Sequence, residues 1–400
     1  MERARVTAAS EDFDAIILGA GAAGLMCALT AGQRGRKVLL LEHTDKAGAK
    51  ILISGGGRCN FTNLGVAPER FLSDNPHFCL SALRRYTQWD FISLVERHRI
   101  SYHEKTLGQL FCDRSARAIV AMLLQECAGG GVELRLGQSV TNISKPDSFR
   151  VETNSGVFTA PALVLATGGL SIPKMGATTF SHDAARRFGL RVTETRPGLV
   201  PFRARHDTPG LDPSLAGVSL EASVSCGTHT FREDILFTHR GLSGPAILQI
   251  SSYWRPGISI AIDLLPGLHA TGFLKERKRM RPKALPQTIL AEVLPSRLAQ
   301  FLTAAHLPSG EMANIPDRTL AALAEQLNGW QFKPHETEGF AKAEVTVGGI
   351  DTRDLSSKTM EARNVGGLYA IGEAVDVTGW LGGYNFQWAW SSGWCAGQAI

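Results

Sequence analysis

Hydrophobic residues near the start of the chain form two short runs separated by a longer, alanine-rich stretch. The first run, residues 15–18, ends at a glycine-rich segment, and the second, residues 37–41, ends at Glu42. Short apolar runs of this kind favour strands, whereas the longer stretch between them favours a helix. The pattern therefore predicts a strand, turn, helix, strand unit over residues 14–42.

The turn of this unit has the glycine spacing of a dinucleotide-binding motif. The motif consists of Gly19, Gly21 and Gly24, with Ala22 and Ala23 between the last two glycines. The first glycine permits a tight turn, the second lets the backbone approach a pyrophosphate, and the third allows close packing of helix on strand. The N-terminus of the helix then offers free N–H groups to the phosphates.

Glu42 lies at the tip of the second strand, where it can accept hydrogen bonds from a ribose hydroxyl. A carboxylate at this position also repels a 2′-phosphate. We therefore expect the adenosine of FAD or NAD, and not that of NADP. The alternative is a glycine-rich turn that only packs.

A polar segment with three adjacent glycines follows at residues 54–63. Glycines in a row disfavour the interior of a helix or strand, and they suit a loop that lies close along a flat ligand. Arg58, Cys59 and Asn60 add a cation, a thiol and an amide, and Lys50 lies shortly before them. The alternative is a flexible surface loop.

Residues 68–127 favour helices, and residues 132–165 favour a small β-meander that returns a buried strand to a glycine pair. That strand would bring a second backbone loop to the same nucleotide. Val140 lies where a backbone group can pair with an adenine edge. The second loop consists of Ala166, Thr167, Gly168 and Gly169.

The pattern changes near residue 193 and returns to that of the opening segment near residue 344. Prolines and short alternating runs favour an antiparallel β-domain at 193–270 and 331–344, with helices at 271–330 between them. Residues 345–400 contain a strand that enters Gly372-Glu373 and a glycine pair at 382–383 that opens a final helix. The predicted organisation is a nucleotide-binding domain, 1–192 and 345–400, interrupted by an inserted domain, 193–344.

Composition places this chain of 400 residues among multidomain soluble proteins, with 44% hydrophobic and 20% charged residues. No apolar run approaches the roughly 20 residues needed to cross a bilayer. The seven cysteines show no C-x-x-C pairing, which argues against a disulfide framework or a metal site. We expect a protein of the reducing cytoplasm.

A net charge of +5 permits an anionic partner without requiring one, and basic residues cluster in the predicted helical segment. Such a cluster is most often a solvated face, and contact with an acidic polymer is the functional alternative. The cluster consists of Lys275, Arg277, Lys278, Arg279, Arg281 and Lys283.

Together these motifs resemble those of the HI0933-like flavoproteins, a bacterial family of FAD proteins, over nearly the whole chain. The resemblance rests on the glycine turn with Glu42, residues 54–63, 166–169, 237–245 and 372–389. It implies an α/β fold in which a Rossmann-type FAD-binding domain is interrupted by an inserted β-rich domain with a small helical subdomain. The expected FAD contacts are Gly19, Gly21, Ala22, Ala23, Gly24, Glu42, Lys50, Arg58, Cys59, Asn60, Val140, Ala166, Thr167, Gly168, Gly169, Gly372, Glu373, Gly383, Tyr384, Asn385 and Gln387.

The resemblance also implies reduction of a C=C bond conjugated with a carbonyl, and such a reaction needs a general acid. Candidates for the acid are Cys59, Cys112 and His239, although each can equally be a structural residue. The favoured substrate is a uridine of large-subunit ribosomal RNA, bound through the basic cluster. Alternatives are a small apolar enone of the bile-acid type and a non-catalytic flavin-bearing RNA-binding factor. Because no second glycine motif opens a nicotinamide domain, NAD(P)H would dock transiently as electron donor.

Overall fold

The computed structural model describes residues 11–205 and 211–400. Its strands are β1 (Glu11–Asp12), β2 (Ala15–Leu18), β3 (Val38–Leu41), β4 (Asn60–Asn63), β5 (Phe71–Leu72), β6 (Tyr102–Glu104), β7 (Gln109–Cys112), β8 (Glu133–Arg135), β9 (Val140–Ser144), β10 (Phe149–Thr153), β11 (Val157–Ala160), β12 (Ala162–Leu165), β13 (Arg196–Gly198), β14 (Phe202–Arg203), β15 (Ser219–Cys226), β16 (His229–Thr238), β17 (Gly241–Ser243), β18 (Ile260–Asp263), β19 (Trp330–Phe332), β20 (Glu336–Thr337), β21 (Val345–Val347), β22 (Leu368–Ala370) and β23 (Thr378–Gly379). Its helices are α1 (Ala22–Gln33), α2 (Ala49–Gly57), α3 (Cys79–Arg85), α4 (Gln88–Arg97), α5 (Arg117–Gly129), α6 (Phe180–Arg187), α7 (Pro245–Ser251), α8 (Ala270–Met280), α9 (Pro286–Leu290), α10 (Ser296–His306), α11 (Asp317–Gly329) and α12 (Tyr384–Ala399). Within this described part, no helix is long and apolar enough to span a bilayer.

The chain divides into two compact units. One consists of the chain up to Arg196 together with Val345–Ile400, and the other is Pro197–Glu344. The chain therefore leaves the first unit once and returns to it. The sequence predicts these two crossings near residues 193 and 344.

A parallel sheet with the strand order β22-β12-β2-β3-β8 forms the centre of the first unit, as the predicted Rossmann-type domain requires. In this sheet Leu18 pairs with Leu41 on one side and with Leu165 on the other. All residues of β2, β3 and β12 are buried, which is typical of strands covered on both faces. The carboxyl ends of these strands meet at one edge, where open α/β sheets bind ligands.

Helix α12 packs closely along α1. A Cβ atom on Gly393 would lie 2.5 Å from the carbonyl oxygen of Ala23, and one on Gly397 would lie 2.7 Å from that of Cys27. Because neither glycine has a side chain, the two helices meet backbone to backbone. The contact holds the last helix against the helix that follows the first glycine turn.

The first unit also contains a four-stranded and a three-stranded sheet. The predicted β-meander is present as β9, β10 and β11, with β1 added in parallel. The second sheet, β4-β7-β6, corrects the sequence prediction of a loop over residues 54–63. Gly55 and Gly56 adopt left-handed backbone angles that kink α2 near its end, and residues 60–63 form β4 by pairing with the distant β7.

The second unit contains an antiparallel sheet with the strand order β19-β18-β15-β16-β17-β14-β20. Helix α7 packs against β15 and β16, and helices α8 to α11 occupy residues 270–329, the segment predicted to be helical. Helix α11 contacts both α8 and β18, so the helical segment is joined to the sheet of its own unit.

A buried carboxylate joins two distant segments of the first unit. Asp376 is 4% exposed, and its Oδ2 accepts a hydrogen bond of 3.0 Å from the backbone N–H of Asp74. Burial raises the pKa of Asp376 to about 6, because the ionised form loses its hydration. Above about pH 6 the Asp376 carboxylate is ionised in the folded protein, although this charge is more stable in the unfolded chain, where water surrounds it.

We expect Asp376→Asn to stabilise the protein more at pH 7.5 than at pH 4.5. The raised pKa means that ionised Asp376 destabilises the fold fully above about pH 6 and much less near pH 4, so the gain should differ by roughly 1–2 kcal/mol between the two pH values. Denaturant unfolding at both pH values measures it. Exposed Asp147→Asn is the control, and a pH-independent gain would contradict the assignment.

Candidate cofactor site

The glycine turn between β2 and α1 leaves open space at the N-terminus of the helix. A Cβ atom on Gly24 would lie 1.9 Å from the carbonyl oxygen of Gly19, whereas one on Gly21 would meet no atom within 4 Å. Gly19 has a φ of 104°, in the region that favours glycine. Gly24 therefore serves packing, and Gly21 borders a space into which the first amides of α1 can donate.

Glu42 at the end of β3 is bound into the same turn. Its carboxylate accepts hydrogen bonds of 2.9 Å from the backbone N–H groups of Ala20 and Thr44, and the residue is 8% exposed. These bonds fix the carboxylate beside the glycine turn. Oε1 also accepts from Thr44 Oγ1 at 2.9 Å, so Oε2, bound by Ala20, keeps a further lone pair for a ribose hydroxyl.

The loop after β12 lies directly against this turn. A Cβ atom on Gly19 would lie 2.5 Å from the carbonyl oxygen of Ala166. Thr167 Oγ1 is hydrogen bonded to Ser181 Oγ at 2.7 Å, which anchors the loop to α6. Gly168 has a φ of 78°, and a Cβ atom there would meet nothing within 4 Å. The two backbone loops expected to share a nucleotide are thus neighbours.

Lys50 and Glu373, both predicted cofactor contacts, form an ion pair with each other. Lys50 Nζ lies 2.5 Å from Glu373 Oε2 and 2.5 Å from Ser171 Oγ, and Glu373 Oε1 accepts from Ser171 Oγ at 2.7 Å and from Thr346 N–H at 2.9 Å. Burial raises the pKa of Glu373, but Lys50 and these donors together hold it below its usual value. Ser171 and Thr346 were not identified from the sequence, because only the fold brings them to this pair.

The glycine pair before α12 is held by β4. A Cβ atom on Gly383 would lie 2.4 Å from the carbonyl oxygen of Thr62, and Asn63 Nδ2 donates to the carbonyl oxygen of Gly382 at 2.8 Å. The N-terminus of the 16-residue α12 therefore has a fixed position, with the positive end of its dipole at this turn.

Asn60 and Gln109 border the turn before α12. A Cβ atom on Gly383 would lie 2.9 Å from Asn60 Oδ1, and one on Gly382 would lie 2.9 Å from Gln109 Cγ. Gln109 carried no signal in the sequence, since its place depends on the pairing of β7 with β4.

The side chains of the first turn of α12 are used inside the protein. Asn385 Nδ2 donates to the carbonyl oxygen of Gly379 at 2.8 Å, and Asn385 Oδ1 accepts from the N–H of Gly379 at 2.9 Å. Gln387 is fully buried, donates to the carbonyl oxygen of Tyr86 and accepts from Thr62 Oγ1 at 2.7 Å. Tyr384 is also buried. Backbone groups of this turn, rather than these side chains, are the available ligand contacts.

Val140, the expected adenine contact, lines a cavity of about 280 Å³ between β9 and α6. Ile143, Phe180 and Phe188 give the cavity apolar walls, and polar side chains, Thr178 and Asp183 among them, also line it. Apolar walls with polar groups that fix orientation are typical of small-molecule sites.

Cys59 and Cys112 are enclosed by protein atoms, with exposed fractions of 0% and 1%. Burial raises the pKa of Cys112 to about 11 and that of Cys59 well above its usual range, so both remain thiols near neutral pH. This enclosure favours the packing role that the sequence left open.

The two remaining predicted side chains are exposed. Arg58 follows α2 in the first unit, and His239 lies in the turn between β16 and β17 in the second. His239 makes no hydrogen bond with any residue of the described ranges, so a structural role for this imidazole has no support.

Fold and site together define a Rossmann-type dinucleotide-binding protein. The HI0933-like protein Rossmann domain family matches residues 13–399, and the chain belongs to this family. It is accordingly an FAD-binding oxidoreductase.

Three relatives match the chain over almost its full length. A ribosomal RNA dihydrouridine synthase of Escherichia coli (strain K12) is 53% identical over 98% of each chain. A protein of the same name from Haemophilus influenzae is 47% identical over 96% of this chain and 98% of its own. A 3-dehydro-bile acid delta(4,6)-reductase of Clostridium scindens is 28% identical, also over 96% and 98%.

Gly21→Ala and Gly24→Ala should have different effects. The first adds a methyl group in open space and should leave the free energy of unfolding within about 0.5 kcal/mol of wild type while reducing FAD retention. The second meets the backbone of Gly19 and should destabilise the fold by roughly 1–3 kcal/mol or more. Denaturant unfolding of the apoprotein and absorbance of bound flavin measure the two effects. Full FAD retention in Gly21→Ala would show that the phosphates do not lie at this turn.

Proposed function

We propose that the protein is an FAD-dependent reductase that converts uridine to dihydrouridine in large-subunit ribosomal RNA. The observation that carries the proposal is the full-length similarity to two proteins named ribosomal RNA dihydrouridine synthase, at 53% and 47% identity. The inserted unit also carries exposed basic residues suited to a phosphate backbone.

The geometry supports the placement of FAD along the edge of the parallel sheet. The open space at Gly21 would receive the pyrophosphate, Glu42 would accept from the ribose, and the cavity beside Val140 would hold the adenine. The N-terminus of α12 at Gly383 would face the pyrimidine edge of the flavin and stabilise negative charge there. The remaining expected contacts, Lys50 and Glu373 among them, would position the loops around these groups.

Bound FAD in its reduced form supplies a hydride, and NAD(P)H is our proposed transient source of the electrons. The protein must orient the uracil so that hydride reaches its β-carbon, and it must deliver a proton to the α-carbon. Among the three candidate acids, His239 alone has an accessible side chain, while Cys59 and Cys112 are enclosed. His239 is therefore the first of the three to test as the acid.

The proposed function is tested by mass spectrometry of nucleosides from large-subunit ribosomal RNA. RNA from a strain that lacks the gene should have less dihydrouridine, and the purified protein with FAD and NAD(P)H should restore it. If dihydrouridine is unchanged in that strain, the proposal fails, and a small enone substrate becomes the better hypothesis. The 28% identity to a bile-acid reductase is the observation that favours this second candidate.

His239→Gln should slow uridine reduction by roughly 10²–10⁴-fold while leaving FAD content and flavin reduction by NAD(P)H unchanged. Cys59→Ser and Cys112→Ser should instead reduce thermal stability with a proportionate loss of activity, because each places a polar hydroxyl group in an enclosed site. Single-turnover kinetics and melting temperatures separate the two patterns. A stable Cys59→Ser or Cys112→Ser protein that retains FAD but is inactive would assign the acid to that thiol.

Three of the six residues of the basic cluster form ion pairs with acidic residues of the same unit. Arg277 and Arg281 share Glu292, at 2.7 Å and 2.5 Å, and Lys278 pairs with Asp317 at 2.7 Å. These three basic residues therefore join α8 to the segments that follow it.

The other members of the cluster, Lys275, Arg279 and Lys283, are exposed. None of the three forms an ion pair within 4 Å in the described part of the chain. They are the cations available for RNA phosphates.

Replacing Lys275, Arg279 and Lys283 by Gln should weaken binding of a ribosomal RNA fragment and reduce the log–log salt slope by up to about 3, since roughly one phosphate contact is lost per residue. Filter binding over a salt series measures the slope. The matched control replaces exposed Arg318, Lys333 and Lys342 of the same unit, which changes the net charge equally. Equal slopes for the two triple variants would show that the cluster is a solvated face.

A further inference from the structure

The turn between β6 and β7 presents Leu107 to solvent in an unfavourable backbone conformation. Leu107 is 62% exposed, the largest fraction among the exposed large apolar side chains of the described residues. Its φ of 51° lies in the left-handed region, which disfavours residues with a Cβ atom. Conformations of this kind persist when the surrounding structure imposes them, and they are frequent at functional sites.

Hydrogen bonds within the hairpin impose this conformation. Gly108 N–H donates to Glu104 Oε1 at 3.0 Å, and Lys105 N–H donates to the carbonyl oxygen of Gln109 at 3.0 Å. Both bonds close the turn on either side of Leu107. The exposed side chain therefore projects from a rigid turn.

The same turn is tied to the candidate cofactor site. Asn63 Nδ2 donates to the carbonyl oxygen of Leu107 at 3.2 Å and to that of Gly382 at 2.8 Å. One amide thus joins Leu107 to the glycine pair that opens α12. Gln109, at the end of the turn, lies against Gly382. Leu107 consequently stands at a fixed distance from the N-terminus of α12.

A cation lies in the same turn as Leu107. Lys105 is exposed, and its Nζ lies 5.5 Å from the centre of the Phe111 ring. An apolar wedge that enters the stack and a cation that contacts the phosphates are groups with which proteins hold unstacked nucleic acid.

We propose that Leu107 is a wedge that enters the substrate RNA and helps to extrude the target uridine toward the cofactor site. The inference rests on the proposed function, because a base stacked in a helix must leave the stack before chemistry can reach it. Apolar side chains inserted between bases unstack them. Lys105 then contacts a phosphate of the bent strand.

The first test measures unstacking without turnover. The probe is a short RNA duplex in which the target uridine pairs with adenosine and 2-aminopurine is the adjacent base on the same strand. Wild-type protein should raise the 2-aminopurine emission as stacking is lost, and saturating Leu107→Asn should raise it at least about fivefold less. Asn tolerates a left-handed φ, so the backbone should be preserved. An equal rise with Leu107→Asn would overturn the proposal, as would no rise with wild type.

Two further variants control for folding and for loss of exposed apolar surface. Leu107→Gly removes the wedge and relieves the backbone, so it should fold at least as stably as wild type and show the same loss of emission. Ile258→Asn changes a side chain that is 45% exposed in the other unit and should behave like wild type. A wild-type response from Leu107→Gly would count against the wedge.

The second test measures dihydrouridine formation in the duplex and in single-stranded RNA of the same sequence. Leu107→Asn should slow the duplex reaction roughly tenfold to a hundredfold and change the single-strand reaction by less than about threefold. Equal slowing on both RNAs would exclude a role in extrusion. If wild type forms no dihydrouridine in either RNA, the proposed function fails, and the emission measurements alone decide whether Leu107 unstacks RNA.

Discussion

The backbone contact between α1 and α12 is the constraint on which the rest of the cofactor site depends. Gly393 and Gly397 let the last helix approach the carbonyl oxygens of Ala23 and Cys27, closer than any side chain would allow. The glycine turn that opens α12 is thereby fixed relative to the turn that opens α1. Two helix N-termini in one unit then offer free amides to anionic groups.

Many polar side chains near α1 and α12 are hydrogen bonded to other groups of the protein. The Lys50–Glu373 pair, with Ser171 and Thr346, joins α2 and β21 to the segments that follow β12 and β22, and Gln387 joins α12 to the carbonyl oxygen of Tyr86. Buried polar groups need partners, and when every member has one the network makes its surroundings rigid. Such rigidity suits a site whose contacts are mainly backbone groups, because the backbone must already hold its position.

The candidate cofactor site and the basic cluster differ in the origin of their positive charge. At the candidate cofactor site the positive potential comes from helix N-termini, a property of the backbone that does not depend on the protonation of side chains. The basic cluster of the inserted unit depends on side chains, and Glu292 and Asp317 neutralise half of it. The exposed remainder, Lys275, Arg279 and Lys283, is a smaller surface than the run of charges in the sequence indicates.

The sequence by itself determined the Rossmann-type unit and its glycine turns, because strand length, glycine spacing and apolar periodicity act over a few neighbouring residues. It predicted the family for the same reason. Only the tertiary structure decided that residues 60–63 form a strand and that Lys50 binds Glu373. These interactions join positions far apart in the chain, 323 residues apart in the case of Lys50 and Glu373. Such pairing depends on the completed tertiary fold, and local sequence carries no signal for it.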